Sequence, residues 1–414
     1  MREFKDYTEY IFNLAPSFQN VGNKAYKEGL SNTLLLDEHF LHPHTKFKTI
    51  HIAGTNGKGS CSHTIASILQ ECGYKVGLYT SPHLLSFTER IRINCKPISE
   101  DYIMDFIDQE HDFIEALKPS FFEVTTALAF KYFAENDIDI AVVETGLGGR
   151  LDCTNIITPI LSIITNISLD HVQILGNTLS EIAFEKAGIM KKGVTCIIGE
   201  TSDEISPVFL QHSKEVEAPL IFCKEDEYSS MVDMFELKGL YQNKNITTII
   251  TAIKQLQHLG LNIQDINIQN GIARVIENTG LRGRWETISK NPTIICDTGH
   301  NIGGFYYITK QLKTLNYHTL RIVFGMVNDK DITGVLALLP HEAEYYFCQA
   351  SVKRALPVEE LAEKAKKFHL RGKQYKSVEI AVRDAIMDAD KDDLIFVGGS
   401  TFVVADLIKS NITE

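Results

Sequence analysis

The sequence predicts an α/β protein with two domains, each built on a mainly parallel sheet. Its 414 residues exceed what one hydrophobic core usually serves. Short apolar runs alternate with helical patterns over most of the length, and this alternation is typical of parallel strands covered by helices. The periodicity pauses near residues 282–290, where Gly, Asn and Pro cluster, so we place the domain boundary between 285 and 286.

The predicted elements follow in order along the chain. In the first domain, 1–285, the strand-like runs are KTIHIAG, KVGLYTS, DIAVVETG, ILSIITNIS, VTCIIGE and PLIFC, and the helical patterns include CSHTIASILQECG and FFEVTTALAFKYFAEND. In the second, 286–414, the strand-like runs are TIICDTG, LRIVFGM, EYYFCQAS and DLIFVGGS. We expect this smaller domain to be Rossmann-like. Two α/β domains facing each other would form a cleft, where ligands tend to bind.

Composition excludes several classes of function. The formal net charge of −12 argues against a nucleic-acid partner, which favours clustered Lys and Arg. No apolar run approaches the roughly 20 residues that span a bilayer, and the N-terminus lacks the pattern of a secretory signal. Eight cysteines without a Cys-x-x-Cys pair indicate reduced thiols. We therefore expect a cytoplasmic protein, outside the membrane and monomeric.

A glycine-rich loop joins the first strand to a helix. In IHIAGTNGKGSCSHTI the strand ends at Gly54, the loop is 55–59, and a helix is predicted to begin near Ser60. Backbone amides, the helix N-terminus and Lys58 together suit a phosphate. The sequence does not match the common phosphate-loop pattern, which requires a glycine five positions before Gly57. The structural alternative is a turn with a surface lysine, but the strand and helix on either side favour a P-loop-type ATPase domain.

Polar side chains follow three strands of this domain. Ser81, Glu144 and His171 each stand at or just after a predicted strand end, where functional groups of doubly wound sheets gather. Hydroxyl and carboxylate oxygens are ligands that Mg²⁺ prefers, whereas an imidazole is unusual. Taken singly, each residue is better explained as a turn, capping or loop residue.

A lysine in EIAFEKAGIMKKG has an unusual setting. Lys186 lies among Phe184, Ala187 and Ile189 on a predicted helix that ends at 191–193. An ordinary ammonium would be poorly solvated there, which suggests a modified or metal-associated group. The alternative is a helix with solvated charges.

The second domain offers fewer candidates. Asp297 and His300 follow a strand in CDTGHN, and Arg284 lies in the linker LRGRWE. We expect Arg284 to reach a nucleotide and Asp297 to hold its ribose or base.

Together these motifs resemble the Mur ligase superfamily and, within it, the folylpolyglutamate synthase and dihydrofolate synthase family. They occur in family order from residue 51 onwards: HIAGTNGKGS (51–60), TSPHL (80–84), ETGLGGRLDCTN (144–155), LDHVQILG (169–176), EKAGIMK (185–191), LRGRWE (281–286), DTGHN (297–301) and GMVNDKD (325–331). Departures from the family pattern occur at Cys153, near the pterin pocket, and at Gly299 and Ile302, beside His300.

The resemblance implies a role for each matching residue. Binding of the ATP phosphates falls to Thr55, Asn56, Gly57, Lys58, Gly59 and Ser60. The remaining nucleotide contacts are Asn245, Arg284 and Asp297. The Mg²⁺ ligands are Ser81, Glu144, His171 and a carbamylated Lys186. The segments 120–124 and 151–155 touch the pterin-bearing substrate through Ser120, Phe121, Phe122, Glu123, Leu151, Asp152 and Asn155. His300 and Ser400 serve the incoming glutamate, and the catalytic residues are Lys58, Lys186 and His300.

The implied reaction is ATP-dependent ligation of L-glutamate to dihydropteroate, to reduced folates, or to both, through an acyl phosphate, with two Mg²⁺ ions. Two alternatives remain at this stage. One is a Mur-type ligase that adds an amino acid to a cell-wall nucleotide precursor, although the roughly 50 residues before the loop look helical rather than like a further α/β domain of about 100 residues. The other is a nucleotide-binding relative that does not ligate.

Overall fold

The structure is a computed structural model that describes residues 3–14, 29–225 and 227–412. The chain divides into two compact units. Unit 1 comprises Met1–Glu236 and Gln242–Leu281, and unit 2 comprises Leu237–Tyr241 and Arg282–Glu414. The division therefore falls at 281/282 rather than at 285/286. The participation of the segment 237–241 in unit 2 was not predicted.

Unit 1 contains an eight-stranded sheet with the order β4-β3-β2-β5-β1-β6-β7-β8. Its strands are β1 Lys48–Ala53, β2 Val76–Tyr79, β3 Ile91–Ile93, β4 Lys96–Pro97, β5 Ile140–Glu144, β6 Leu161–Ile164, β7 Cys196–Ile198 and β8 Leu220–Phe222. The neighbouring strands in the series β2-β5-β1-β6-β7-β8 pair in parallel. Strand β3 pairs antiparallel with both β2 and β4.

The described part of unit 1 also contains α-helices. They are α1 Phe4–Asn13, α2 Ser31–His39, α3 Lys58–Glu71, α4 Glu100–Leu117, α5 Phe121–Glu135, α6 Val172–Leu175, α7 Leu179–Ala187, α8 Ser206–Val216, α9 Gln242–His258, α10 Asp265–Ala273 and α11 Val275–Thr279. The central strands β2, β5 and β6 are buried along their whole length, which explains their continuous apolar sequence.

Unit 2 contains a six-stranded sheet with the order β13-β12-β11-β14-β10-β9. Its strands are β9 Glu286–Lys290, β10 Thr293–Asp297, β11 Leu320–Phe324, β12 Glu344–Cys348, β13 Gly372–Tyr375 and β14 Leu394–Gly398. Its helices are α12 Ile302–Leu312, α13 Ile332–Leu336, α14 Val358–Lys366, α15 Val378–Met387 and α16 Thr401–Lys409. Among these six described strands, only the pair β9 and β10 is antiparallel. This unit has its own core, which includes Trp285, Phe305, Phe324 and Phe396.

Most element predictions are confirmed, and the misses share a cause. Every strand-like run of the sequence forms a strand, but β3, β4, β9 and β13 were not predicted. These strands lie at or next to a sheet edge. Partial exposure allows β4, β9 and β13 to carry polar residues, so they lack the apolar run of a buried strand. Helix α8 was not predicted either.

All eight cysteines are free thiols, as predicted. Among the helices of the described residues, none combines the length and apolar character needed to cross a membrane.

Candidate active site

The strand order of unit 1 brings the predicted site residues to one edge of the sheet. Strands β2, β5, β1 and β6 are consecutive neighbours and run parallel, so their carboxyl ends lie side by side. Ser81 follows β2, Glu144 ends β5, the glycine-rich loop follows β1, and His171 follows β6. Neighbouring strands are about 4.8 Å apart. The sequence prediction that these groups gather at adjacent strand ends therefore agrees with the sheet topology.

The glycine-rich loop has a backbone that only glycine fits. Gly57 has φ +86° and caps the N-terminus of α3, which begins at Lys58 rather than near Ser60. A Cβ on Gly54 would lie 2.0 Å from Thr165 Oγ1, and one on Gly57 would lie 2.4 Å from Asn245 Oδ1. The Thr165 hydroxyl also donates to the Asn56 carbonyl at 2.6 Å. The loop is thus fixed by its neighbours, with the first amides of a helix at its end.

Two lysine ammonium groups meet at one carbonyl of this loop. Lys58 Nζ donates to the Gly54 carbonyl at 2.9 Å and to the Thr55 carbonyl at 3.3 Å. Lys186 Nζ donates to the same Gly54 carbonyl at 2.9 Å. Burial, together with the nearby charge of Lys58, lowers the pKa of Lys186 to about 7. The amine is therefore substantially neutral near pH 7, which an ordinary lysine is not.

A tight contact with the GGRL segment, residues 148–151, holds the helix that carries Lys186. The Arg150 amide donates to the Glu185 carbonyl at 2.7 Å, and the two side chains pair at 2.8 Å. A Cβ on Gly188 would lie 2.4 Å from Arg150 Cα, and one on Gly149 would lie 2.8 Å from the Lys186 carbonyl. Helix α7 ends at Ala187, so the predicted end at 191–193 is wrong. The chain leaves the helix at Gly188, where Arg150 crosses it.

The predicted metal ligands are a buried carboxylate, a hydroxyl and a constrained imidazole. Glu144 is 3% exposed. Its charge partly offsets the burial that lowers the pKa of Arg90 to about 10. His171 has φ +51°, and its backbone amide donates to Asp170 Oδ1 at 2.9 Å. In the described part of the chain, no three His, Cys, Asp or Glu side chains cluster as a ready metal site. The predicted set includes only two such side chains, together with Ser81 and Lys186.

The segment predicted to touch the pterin begins at a helix N-terminus. Ser120 and Glu123 form a reciprocal cap at the start of α5. Phe121 lies under the Arg90 guanidinium at 5.0 Å and stacks on Phe12 with ring centroids 4.8 Å apart. Phe122 packs so closely on Gly146 that a Cβ there would lie 2.4 Å from the ring.

The second predicted pterin segment is tied to its own loop. Asp152 accepts from the Leu147 amide at 2.8 Å and from the Thr154 amide at 3.0 Å. Burial raises its pKa, against the effect of these hydrogen bonds. The Asn155 amide group donates to the carbonyls of Arg150 and Gly188, each at 3.0 Å. The side-chain amide group of Asn155 thus ties this segment to the end of α7, while Leu151 is only partly buried.

In unit 2, several predicted residues have structural partners. Asp297 Oδ2 accepts from the Tyr241 hydroxyl at 2.6 Å and from the Trp285 amide at 2.8 Å, and burial raises its pKa. Arg284 donates to the Thr298 hydroxyl, and His300 Nδ1 lies 3.0 Å from the Thr298 carbonyl.

The remaining predicted residue of unit 2 caps a helix. Ser400 is 2% exposed, and its hydroxyl accepts from the Val403 amide at 3.2 Å at the start of α16.

The predicted nucleotide contact Asn245 packs against the glycine-rich loop. Two further residues that support the loop, Gln242 and Thr165, were not predicted. Asn245 Nδ2 donates to Gln242 Oε1 at 2.7 Å, and Gln242 Nε2 donates to Ser60 Oγ at 3.1 Å. Asn245 therefore supports the loop from α9. Gln242 lies one helical turn before Asn245, a spacing that could have indicated it. Thr165 follows β6 and shares the strand-end position of the predicted residues.

Comparisons with known proteins agree with this architecture. Residues 52–273 match the family described as "Mur ligase middle domain", and residues 283–401 match "Mur ligase, glutamate ligase domain". The "Dihydrofolate synthase/folylpolyglutamate synthase" of Bacillus subtilis is 33% identical over 371 residues, covering 80% of this chain and 84% of its own. The Escherichia coli protein of the same description is 33% identical over 372 residues, covering 86% and 85%.

Solved structures show the same likeness. Escherichia coli FolC in complex with DHPP and ADP has a TM-score of 0.84 at 29% identity and covers 99% of this chain and 97% of its own. A bifunctional folylpolyglutamate synthase/dihydrofolate synthase with Mn, AMPPNP and L-glutamate bound has a TM-score of 0.83 at 28% identity, covering 99% and 98%. The chain therefore belongs to the Mur ligase family and, within it, to the dihydrofolate synthase/folylpolyglutamate synthase enzymes, which are ATP-dependent ligases.

Proposed function

We propose that this protein ligates L-glutamate to dihydropteroate and to reduced folates at the expense of ATP. The observation that carries the proposal is the meeting of Lys58 and a buried Lys186 at the Gly54 carbonyl of the phosphate loop. A loop with two lysines beside a row of polar strand ends suits transfer of a phosphoryl group between oxygen atoms. Relatives with this architecture were solved with ADP, DHPP, AMPPNP and L-glutamate.

In the proposed reaction, the carboxylate of the acceptor attacks the γ-phosphate of ATP, which forms an acyl phosphate and releases ADP. The amine of glutamate then displaces phosphate and forms the amide. The amides of Thr55 to Ser60 hold the phosphates, and Lys58 moves from its two carbonyl partners to offset the charge that develops on them. The acyl phosphate must be kept from water, which competes with the amine.

The residues at the sheet edge fit Mg²⁺. Glu144 supplies a buried carboxylate, Ser81 a hydroxyl and His171 an imidazole, and a carbamate on Lys186 would add oxygen donors to this set. The neutral amine that carbamylation requires is available, because the pKa of Lys186 is about 7. Bound Mg²⁺, which we expect as two ions, would offset phosphate charge and orient the phosphates for in-line transfer.

The acceptor and the nucleotide contact different residues in this proposal. The pterin-bearing acceptor contacts Phe121, Phe122, Leu151 and Asp152, in two segments that the structure holds by capping and by a short loop. Asn155 and Glu123 act mainly through the backbone contacts that hold those segments. In unit 2, Arg284 and Asp297 serve the nucleotide.

His300 serves the incoming glutamate in this proposal, together with Ser400. The Thr298 carbonyl can only accept, so His300 Nδ1 carries the proton of the neutral ring. Nε2 is then the acceptor nitrogen, suited to the amine protons of glutamate.

Purified protein incubated with ATP, Mg²⁺ and labelled glutamate tests the function directly. One reaction contains dihydropteroate and the other tetrahydrofolate, and labelled product with both is expected. Product with one acceptor alone would remove bifunctionality, and product with neither would contradict the proposal. Lys58→Met is expected to lower kcat by at least about 100-fold in both reactions. ATP binding without turnover in the wild type would indicate a non-catalytic relative.

A further inference from the structure

A buried histidine in the first strand of unit 1 makes a specific contact with the second pterin segment. His51 lies in the middle of β1 and has no exposed surface. Its Nε2 lies 2.8 Å from Thr154 Oγ1, and that hydroxyl in turn donates to Asp152 Oδ1. Three side chains from two separate parts of the chain thus form one continuous hydrogen-bonded line, which ends at the carboxylate assigned to the acceptor.

The direction of each hydrogen bond in this line can be derived. A threonine hydroxyl has one proton, and the Thr154 proton is given to Asp152. His51 Nε2 must therefore carry a proton and donate it to Thr154. The other ring nitrogen, Nδ1, is buried and has no hydrogen-bond partner in the described part of the chain. A lone pair at that position fits the neutral ring with its single proton on Nε2, and burial, with the charge of Lys191 nearby, lowers the pKa of His51 to about 3.

The line ends at a carboxylate that organises its surroundings. Asp152 Oδ2 accepts from the Leu147 amide, and Oδ1 accepts from both the amide and the hydroxyl of Thr154. These donors leave Asp152 little rotational freedom. The Thr154 hydroxyl gives its proton to Asp152, and the proton of His51 Nε2 occupies one of its lone pairs, so two hydrogen bonds hold it in this orientation.

We propose that His51 is a positioning residue for the acceptor: through Thr154 it fixes the orientation of the Asp152 carboxylate that receives the pterin-bearing substrate. The inference rests on the proposed function, in which Asp152 contacts that substrate. It assigns a role to a side chain that itself lies inside the sheet. The line also starts three residues before Gly54, so it connects the strand leading to the phosphate loop with the acceptor segment.

Two pairs of variants separate positioning from packing. The amide nitrogen of Gln reaches about as far from the backbone as His Nε2, so His51→Gln keeps the donor, whereas His51→Phe keeps a ring and removes it. Thr154→Ser keeps the hydroxyl at the centre of the line, and Thr154→Val removes it. If His51→Phe does not fold, the Thr154 pair carries the test alone.

The readout is the Kd for dihydropteroate, measured by titration calorimetry, with the Kd for ADP as the internal control. We expect His51→Phe and Thr154→Val each to raise the Kd for dihydropteroate about tenfold, with the double variant no worse than the single ones. The Kd for ADP should change by less than twofold, and Gln and Ser should restore dihydropteroate binding. An unchanged Kd, or equal loss of dihydropteroate and ADP, would overturn the proposal. Binding is measured without turnover, so a wild type that binds dihydropteroate but does not ligate removes the proposed function and not this inference.

The tautomer provides a second test that needs no ligand. In protein labelled with ¹⁵N-histidine, the signals absent from His51→Gln identify His51. We expect shifts of the Nε2–H form, unchanged between pH 5.5 and 8. A proton on Nδ1 would break the line at its first step and overturn the inference.

Discussion

Lys186 combines two features that oppose its charge: burial and a second ammonium at the same carbonyl. Lys58 and Lys186 both donate to the Gly54 carbonyl, so the charged form of Lys186 lies close to a second cation. Burial, as the largest cause, lowers its pKa to about 7. A cation in this position destabilises the folded protein, whereas a carbamate would reverse the sign of the charge. The sequence pointed to Lys186 through its apolar neighbours, but not to its contact with Gly54, which depends on the fold.

A pH dependence of stability follows from this shift. Between pH 7 and the ordinary lysine pKa of 10.5, the unfolded chain holds a proton on Lys186 that the folded protein lacks. The free energy of unfolding should therefore rise with pH in this window, by at most about 1.4 kcal/mol per pH unit. Below pH 7 both states are protonated and the group contributes no slope. Urea unfolding of metal-free protein in CO₂-free buffer, at pH 7 and pH 9, measures it. Lys186→Met should lack this increment; an identical slope in both proteins would contradict the shift.

The same residue is expected to control activity. Lys186→Ala should lower kcat by at least about 100-fold, because it removes an oxygen donor of the proposed metal site. Added acetate or formate should restore part of the rate if a carbamate is the active form. The measurement is the steady-state ligation rate with and without added carboxylate. A concentration of about 50–100 mM would occupy a site that binds the carboxylate only weakly. Full activity without rescue would remove Lys186 from the mechanism.

Gly57 and Gly73 provide a matched pair for the phosphate loop. Both have φ +86°, so alanine meets the same backbone strain at each. A Cβ on Gly57 would lie 2.4 Å from Asn245 Oδ1, whereas around Gly73 there is nothing within 4 Å. Gly73→Ala should cost about 1 kcal/mol of stability and leave the Kd for ATP unchanged. Gly57→Ala should weaken ATP binding at least about tenfold, because the loop must shift. Equal ATP affinity in the two variants would show that Asn245 does not constrain the loop.

At the scale of elements, the buried strands were predictable from the sequence, and the edge strands were not. The central strands carry continuous apolar sequence because both faces are covered. Edge strands such as β13, with mainly exposed residues, carry no such signal. The predicted end of α7 lay too far along the chain because Ile189, Met190 and Lys191 continue the helical pattern. Its real end is set by Arg150, more than 30 residues away, which crosses at Gly188.

The contact of α7 with the GGRL segment can be tested at Gly188. Its backbone is right-handed, with φ −58°, so alanine meets no conformational strain there. A Cβ would nonetheless lie 2.4 Å from Arg150 Cα, and the helix end would have to move. We expect Gly188→Ala to lower kcat by at least about tenfold and stability by about 1–3 kcal/mol. Gly193→Ala, five positions on with nothing within 4 Å of the added Cβ, is the control. It should keep kcat; a Gly188→Ala variant with wild-type kcat would argue against the contact as the support of Lys186.

At the scale of the whole molecule, the chain enters unit 2 twice. The segment 237–241 joins unit 2, although residues on both sides of it belong to unit 1. Gln311 holds the segment by donating to the Lys238 carbonyl at 3.0 Å and accepting from the Leu240 amide at 2.7 Å. The Tyr241 hydroxyl adds the contact with Asp297. A reading along the chain could not predict this, since the segment is short and its partners lie in a later part of the sequence.

The single tryptophan allows this attachment to be measured in unit 2 alone. Trp285 is buried beside Phe396, with ring centroids 6.1 Å apart, so its fluorescence reports the core of unit 2, whereas circular dichroism reports both units. Gln311→Ala leaves a carbonyl and an amide without their side-chain partner and should lower the stability of unit 2 by about 1–3 kcal/mol. We expect the fluorescence transition in urea to move to lower concentration. Gln311→Glu keeps an acceptor for the Leu240 amide, so its transition should lie between those of the wild type and Gln311→Ala. A fluorescence midpoint unchanged in Gln311→Ala would show that unit 2 does not depend on the segment 237–241.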